Sequence, residues 1–103
     1  SAVNSNSNIG RGVIINTSSC VEHDCHIENF SSLATGVKLG GKVAIGYRSA
    51  ICIGAIIKHG ITVGNDVVVG ASSLVLRDIK NNSVSYGVPA RFIRERELGE
   101  IYL

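Results

Sequence analysis

An aliphatic residue stands at every sixth position through most of this sequence. Thirteen consecutive positions in one six-residue frame are aliphatic, and the frame ends at Asn81. A strand and corner of six residues cannot bury its own apolar face, so units of this size must stack on one another. The repeat therefore predicts an all-β chain folded as a parallel β-helix. The aliphatic series is Val3, Ile9, Ile15, Val21, Ile27, Leu33, Leu39, Ile45, Ile51, Ile57, Val63, Val69 and Val75.

Two further positions of the unit are restricted. We number each unit from its aliphatic residue, which is position 1, and position 5 is mostly small or β-branched, as at Ser19 and Val37. Position 5 of one unit and position 1 of the next lie two residues apart, as Ser19 and Val21 do, so both face the same side of a strand. Position 2 is often glycine, which we expect to help the chain turn the corner.

The repeat resembles that of hexapeptide-repeat proteins. This resemblance implies a left-handed winding and three units, hence eighteen residues, in each triangular coil. Residues 1–80 then form one left-handed β-helix domain of about four coils, and residues 81–103 form a C-terminal cap. Within the cap, Pro89 is suited to begin a short helix over Ala90–Leu98, with Gly99 at its end.

Composition excludes several classes of protein. Charged residues make up only 17% of the chain and the formal net charge is +2, which argues against binding nucleic acid by neutralising phosphates. No apolar run is long enough to cross a membrane, and no secretory signal opens the sequence. Cys20, Cys25 and Cys52 show neither a CxxC pair nor a metal-like spacing. We therefore expect reduced thiols, a cytoplasmic location, and neither nucleic-acid nor membrane partners.

Stacking places residues eighteen apart above one another, at a spacing of about 4.8 Å. One such column, at position 3, holds His23, then Gly41, then His59. Since Gly41 has no side chain, we expect it to leave a notch beside the His23 imidazole and to expose a backbone N–H. A base beside an accessible N–H is suited to acyl transfer. Asp24 adjoins His23 and is placed to fix its tautomer, the alternative being a solvated corner pair.

Several stretches resemble one branch of the hexapeptide-repeat acyltransferases. Val21–Cys25, followed by Ala34–Val37 and Leu39–Gly41, is similar to the sialic-acid O-acetyltransferases and to the N-acetyltransferases that act on UDP- or GDP-linked amino sugars. Val63–Asp66 and Ser83–Arg91 resemble the end shared by many hexapeptide acyltransferases. The resemblance covers nearly the whole chain. It implies a coenzyme A-dependent acetyltransferase acting on an amine or hydroxyl of a sugar or nucleotide-sugar.

The resemblance also implies roles at the reacting centre. His23 matches the general base of the family, Asp24 the acidic residue that orients it, and Gly41 the glycine whose N–H faces the thioester carbonyl. No metal is implied in this mechanism. The role of Gly41 agrees with the stacking argument, which does not depend on the acyltransferase branch.

The acyl donor implied by the resemblance is acetyl-CoA. Ile53 and Ala71, which are eighteen residues apart, match positions along the pantetheine arm. Gly87, Ala90 and Arg91 match the segment near the nucleotide end of coenzyme A. Arg91 is suited to pair a phosphate there, the alternative being a solvated arginine.

The sequence departs from the family pattern in two respects. Relatives often carry a second histidine nine residues past the base, where this chain has Ser32. Full-length relatives also carry an N-terminal domain that holds the nucleotide-sugar, and we expect that domain to be absent here. Because Ser1–Asn8 starts in mid-prism, we expect a truncated or cleaved chain. His26, at an outward strand position, is interpreted as a surface or interface histidine.

The sequence is also compatible with two other functions. One is a zinc carbonic-anhydrase-like trimer, since His23 and His59 lie two coils apart, at about 9.6 Å by strand spacing. That separation is too long for two histidines of one subunit to share a metal, and Val63 and Gly64 stand where a third histidine is needed. The other alternative is a non-catalytic assembly or scaffold protein.

Two outward rows favour self-association. Apolar residues recur at outward strand positions, and exposed rows of this kind usually mark an interface. Because related hexapeptide acyltransferases are trimers, the resemblance implies a closed homotrimer whose acyl donor lies between neighbouring prisms. The rows are Ile14, Ser32, Ala50 and Val68, and Cys20, Lys38, Ile56 and Leu74.

Overall fold

The hexapeptide repeat folds as a left-handed parallel β-helix, as predicted. The computed structural model describes residues 2–4 and 6–95, and within them each unit contributes a two-residue strand formed by position 6 and the following position 1. Two longer strands follow near the C-terminal end. The strands are β1 Ala2–Val3, β2 Asn8–Ile9, β3 Ile14–Ile15, β4 Cys20–Val21, β5 His26–Ile27, β6 Ser32–Leu33, β7 Lys38–Leu39, β8 Ala44–Ile45, β9 Ala50–Ile51, β10 Ile56–Ile57, β11 Thr62–Val63, β12 Val68–Val69, β13 Leu74–Val75, β14 Ser83–Gly87 and β15 Ala90–Glu95.

The strands form the three faces of a prism. Sheet 1 contains β1, β4, β7, β10 and β13; sheet 2 contains β2, β5, β8 and β11; sheet 3 contains β3, β6, β9, β12, β14 and β15. Strands of successive coils pair in parallel with partners eighteen residues apart, as Val21 pairs with Leu39. Three units per coil are therefore confirmed.

The interior is a ladder of position-1 residues. From Val21 to Val75 each is at most 2% exposed, and together with position-5 residues they form one core. In the first coil, Val3 is 45% and Ile9 39% exposed, because neighbouring side chains cover them from one side only. Burying these aliphatic side chains supplies the main stabilisation of the prism.

Serine at position 5 is small enough for the interior and also forms hydrogen bonds with the backbone of the next coil. The hydroxyl of Ser49 donates to the carbonyl oxygen of Gly64 in the next coil at 2.7 Å and accepts the N–H of Val67 at 3.0 Å. Ser31 makes the equivalent bonds to Gly46 and Ser49. These hydroxyls satisfy backbone groups that are buried where the chain bends, which an aliphatic side chain cannot do.

The corners turn at position 4 rather than at the glycine-rich position 2. Backbone φ is positive at position 4 of every unit from Asn6 to Ser72, and Asp24 has a φ of 58°. Glycine at position 2 instead allows the backbones of adjacent coils to approach closely, because a Cβ on Gly40 would lie 2.6 Å from the backbone nitrogen of His59 in the next coil. The expectation that position-2 glycines turn the corner was therefore wrong.

The last coil is shorter than the others by two residues. Ile79 pairs with Val63 and Val84 pairs with Val68, which are sixteen rather than eighteen residues apart. Ile79 thereby takes the position-1 place, so the repeat continues past Asn81 in a shifted frame. The prism has five coils rather than about four, the fifth completed by β14.

The cap is a β-hairpin, and the predicted helix is wrong over Ala90–Glu95. β14 adds to the edge of β12, and β15 pairs back on β14 in antiparallel orientation. Pairing satisfies backbone groups at the sheet edge, and this tertiary contact overrides the local helical pattern. Residues 96–98 of the predicted helix lie outside the described residues. Lys80 packs over the ring of Phe92, with its Nζ 4.3 Å from the ring centroid, and joins the hairpin to the last coil.

The outward apolar rows are only partly exposed. Ala50 and Val68 are buried within a single chain, Val68 being 7% exposed, so the row on sheet 3 is less accessible than predicted. Ile14 and Ile56 remain exposed, Ile56 at 46%. Neighbouring side chains of the same prism cover the small and mid-row positions. None of the described residues forms a helix that could span a membrane.

Candidate active site

His23 and Asp24 lie at the corner between β4 and β5. Nδ1 of His23 donates a hydrogen bond to Oδ2 of Asp24 at 3.1 Å, and both side chains are about half exposed. A carboxylate can only accept, so this bond places the proton of the neutral imidazole on Nδ1. The lone pair of Nε2 is then free to accept a proton.

The imidazole of His23 lies directly against Gly41 of the next coil. A Cβ added to Gly41 would lie 2.7 Å from Nε2 and 2.8 Å from Cε1 of His23. The expected notch therefore exists, but the imidazole itself occupies it, and Gly41 is buried beneath the ring. The missing side chain is what allows Nε2 to sit over this corner.

The N–H of Gly41 has no acceptor among the described residues. At the corner between sheets 2 and 3, some equivalent N–H groups are capped: Arg11 N donates to Oδ1 of Asn29 at 2.7 Å, and Tyr47 N to Oδ1 of Asn65 at 2.8 Å. The corner that holds His23 carries no asparagine at position 3. The described residues therefore provide no side-chain cap for the N–H of Gly41.

The residues matched to the pantetheine arm lie at a different corner from His23. Ile53 and Ala71 are stacked between sheets 3 and 1, both are exposed, and their N–H groups have no acceptor among the described residues. One prism therefore does not bring them together with His23. The corners differ chemically, because asparagine side chains cap N–H groups at one of them, while the N–H groups of Gly41, Ile53 and Ala71 have no such cap within residues 2–4 and 6–95.

The residues matched to the nucleotide end of coenzyme A all belong to the hairpin, but only two of them line the same cavity. Ala90 and Arg91 line a cavity of about 690 Å³ between the last coil and β15, together with Arg77 and Lys80. Gly87 lies at the tip of the hairpin and does not line this cavity. Three of the lining side chains are cationic and one is anionic, and the ammonium of Lys80 pairs with a glutamate of β15 at 3.5 Å, so the cavity has a modest excess of positive charge.

His59 lies closer to His23 than strand spacing predicts. The two ring centroids are 6.4 Å apart, tilted by 58°, because the side chains lean toward each other across Gly41. The estimate of about 9.6 Å from strand spacing was wrong for the imidazoles. The column placed His59 at this site, but a backbone spacing does not describe where its ring lies. Within residues 2–4 and 6–95, no group of three histidine, cysteine, aspartate or glutamate residues could hold a metal ion.

The other polar candidates lie away from the Nε2 face. His26 is an exposed residue of β5, and Nδ2 of Asn8 donates to its Nδ1 at 3.1 Å. Ser32 is a partly buried residue of β6 on sheet 3. Of the three cysteines, Cys25 is buried, and burial raises the pKa of its thiol above the ordinary value. A raised pKa lowers the thiolate fraction, which disfavours a nucleophilic role for this thiol.

Sequence comparison finds acetyltransferases. The chain is 37% identical over 93 residues to galactoside O-acetyltransferase from Escherichia coli K12, an alignment covering 84% of this chain and 43% of the relative. It is 36% identical over 69 residues to GDP-perosamine N-acetyltransferase from E. coli O157:H7, covering 67% of this chain and 31% of the relative. The chain thus spans less than half the length of these curated relatives. No family model matches the sequence.

Comparison with solved structures finds the same class of protein. A histidine-to-alanine variant of GDP-perosamine N-acetyltransferase from Caulobacter crescentus, in complex with CoA and GDP-perosamine, superposes with a TM-score of 0.89 at 35% identity, covering 90% of this chain and 44% of that one. The acetyltransferase domain of PglB from Neisseria gonorrhoeae, in complex with acetyl coenzyme A, gives a TM-score of 0.80 at 28% identity, covering 89% and 54%. These neighbours bind CoA or acetyl-CoA.

Proposed function

The chain is a homologue of the hexapeptide-repeat acetyltransferases, and on that premise we propose that it transfers the acetyl group of acetyl-CoA to an amine or hydroxyl of a sugar or nucleotide-linked sugar. The observation that carries this proposal is the imidazole of His23, held by Asp24 with its free Nε2 over Gly41. A base and an unpaired N–H then meet at one corner, as acyl transfer requires.

In the proposed reaction the acceptor attacks the thioester carbonyl carbon. Nε2 of His23 takes the proton of the acceptor as the new C–N or C–O bond forms, and the carbonyl oxygen becomes an oxyanion. The N–H of Gly41 donates to that oxyanion. When the C–S bond breaks, the thiolate of CoA leaves and the imidazolium returns the proton to it. Asp24 holds the ring and favours the imidazolium that forms.

Acetyl-CoA is proposed to bind between two prisms of a homotrimer. His23 of one subunit faces the thioester, while the corner of the next subunit that carries Ile53 and Ala71 lines the pantetheine arm with its open N–H groups. The separation of these two corners within one prism supports a shared cleft. Arg91 and its cationic neighbours are proposed to attract the phosphates of CoA.

The acceptor class is inferred from the relatives. Galactoside and GDP-perosamine acetyltransferases are among them, so an acceptor sugar hydroxyl or amine is proposed, and serine, the acceptor named for the serine acetyltransferase of E. coli K12 that is 35% identical over 95 residues, is the competing class. A direct assay measures acetyl-CoA binding by calorimetry and transfer of radiolabelled acetyl groups to galactoside, GDP-perosamine and L-serine. We expect saturable acetyl-CoA binding and transfer to a sugar acceptor. Transfer to serine alone would overturn the acceptor class, and an absence of acetyl-CoA binding would overturn the function.

The proposed trimer is tested on sheet 1. Ile56 is an exposed apolar residue of β10, so a charge there places an unpaired ammonium in the interface. We expect Ile56→Lys to dissociate the trimer and to reduce acetyl transfer to background. Thr62→Lys, at the equivalent exposed position on sheet 2, serves as the control and should remain trimeric. Sedimentation velocity at micromolar concentration measures both, and a trimeric, active Ile56→Lys protein excludes this face from the interface.

A further inference from the structure

We propose that the imidazole of His59 is a second hydrogen-bond donor to the carbonyl oxygen of acetyl-CoA, beside the N–H of Gly41. This inference rests on the proposed acetyl transfer and adds a residue to its reacting centre. It follows from the direction of the Gly41 N–H, the position of the His59 ring, and the absence of any hydrogen bond or ion pair from that ring to the other described residues.

The direction of the Gly41 N–H is given by the equivalent corner of the prism. There the position-3 N–H groups of Arg11 and Tyr47 each donate to a side chain at position 3 of the next coil, eighteen residues on. The same backbone geometry recurs in each regular coil. The N–H of Gly41 is therefore directed toward the next coil, where the position-3 residue is His59.

An oxygen that accepts from Gly41 consequently lies between two imidazoles. The ring of His23 packs against Gly41 from the preceding coil, and the ring of His59 lies on the other side, with the ring centroids 6.4 Å apart. A hydrogen-bonded oxygen sits about 2.9 Å from its donor nitrogen. The gap between the rings is thus comparable in size to one carbonyl group, and the donors proposed to hold its oxygen are the Gly41 N–H and the His59 ring, because Nε2 of His23 carries no proton.

The ring nitrogens of His59 are available for this contact. His59 is exposed, and no hydrogen bond or ion pair within the described part of the chain uses its ring. His23 differs, because its Nδ1 is engaged by Asp24 and its Nε2 must remain unprotonated to act as the base. The two histidines are therefore assigned different tasks: His23 removes the proton and His59 donates to the oxygen.

The contact can be measured on bound acetyl-CoA without knowing the acceptor. Hydrogen bonds to a carbonyl lower its stretching frequency, so isotope-edited infrared spectra of [1-¹³C]acetyl-CoA report the donors directly. We expect a lowered frequency in the wild-type complex. His59→Phe keeps a ring but removes the donor, and should abolish roughly half of that shift, because one of two donors is lost. His59→Gln restores a donor and should retain most of the shift.

His26→Phe is the matched control, since it removes another exposed imidazole of the same prism and should leave the spectrum unchanged. A His59→Phe complex with the wild-type frequency excludes contact with the carbonyl and overturns the inference, while leaving acetyl-CoA binding and the proposed function intact. A wild-type protein that does not bind acetyl-CoA overturns both. Equal loss in the Phe and Gln variants points to a structural role and also overturns the inference.

Turnover supplies a second readout. Loss of one oxyanion donor lowers kcat by about 10²-fold, so His59→Phe should reduce kcat for the acceptor identified by the transfer assay, with little change in either KM. A rise confined to the KM of the acceptor would instead assign His59 to acceptor binding and contradict the donor role.

Discussion

Replacing His23 with asparagine is expected to lower kcat for acetyl transfer by about 10²–10⁴-fold, the usual contribution of a general base. Asparagine can still donate to Asp24, but its amide has no basic nitrogen to take the proton of the acceptor. The side chain is half exposed at a corner, so the free energy of unfolding should change little. Steady-state kinetics and calorimetric titration with acetyl-CoA measure the two effects separately.

His26→Asn provides the control for His23→Asn. Both changes remove an imidazole from the same coil, but His26 faces outward from β5 and bonds to Asn8 rather than to Asp24. The control should keep kcat within about threefold of the wild type, as expected for a surface site away from the chemistry. If His23→Asn turns over at a near-normal rate, His23 is not the base and the proposed mechanism fails.

Replacing Gly41 with valine is expected to reduce acetyl transfer to background. Even a Cβ at this position would come within 2.7 Å of His23 Nε2, so the imidazole must swing away from the corner. Gly41 does not have a positive φ, so the backbone tolerates a side chain, and the displaced ring can move into solvent. We therefore expect a change in unfolding free energy of about 1 kcal/mol or less, with a loss of kcat at least as large as that of His23→Asn.

A double-mutant cycle separates the two explanations of a Gly41 effect. If the added side chain acts by displacing His23, Gly41→Ala should cost little further activity in a His23→Asn background. If it blocks the carbonyl itself, the two losses should multiply. Chemical denaturation of each variant checks that the prism remains folded, and an active Gly41→Val enzyme would contradict the stacking of these two residues.

The stacking of six-residue units was predictable because each strand must pack an aliphatic side chain against the shared interior, whereas the left-handed winding was implied by the resemblance to hexapeptide-repeat proteins. An aliphatic residue at each position 1 is required wherever a strand faces the shared interior, so the pattern is visible without any structure. The column of His23, Gly41 and His59 followed from the period together with the three units per coil that the resemblance implies. The corner that holds the candidate site could therefore be predicted from the sequence.

The shortened last coil and the β-hairpin cap could not be predicted from the repeat, because both depend on tertiary contacts. A two-residue shortening before Ile79 shifts the frame, and it is visible only when Ile79 is seen paired with Val63. The helical pattern after Pro89 gave way to β15 because the edge of the sheet offers backbone partners to that segment. Local preference is weaker than a row of unsatisfied hydrogen-bonding groups.

The period alone predicted stacked six-residue units and the position of the core, whereas the eighteen-residue coil, and with it the residues that share a corner, was implied by the resemblance to hexapeptide-repeat proteins. The tertiary structure decided how side chains lie on that corner: His23 fills the space above Gly41, and His59 leans to 6.4 Å between ring centroids. It also decided that asparagine side chains cap the N–H groups of one corner, while the Gly41 corner stays open. The eighteen-residue coil specifies which backbone segments stack. The direction of each side chain depends instead on the rotamers that packing allows and on the hydrogen-bond partners within reach.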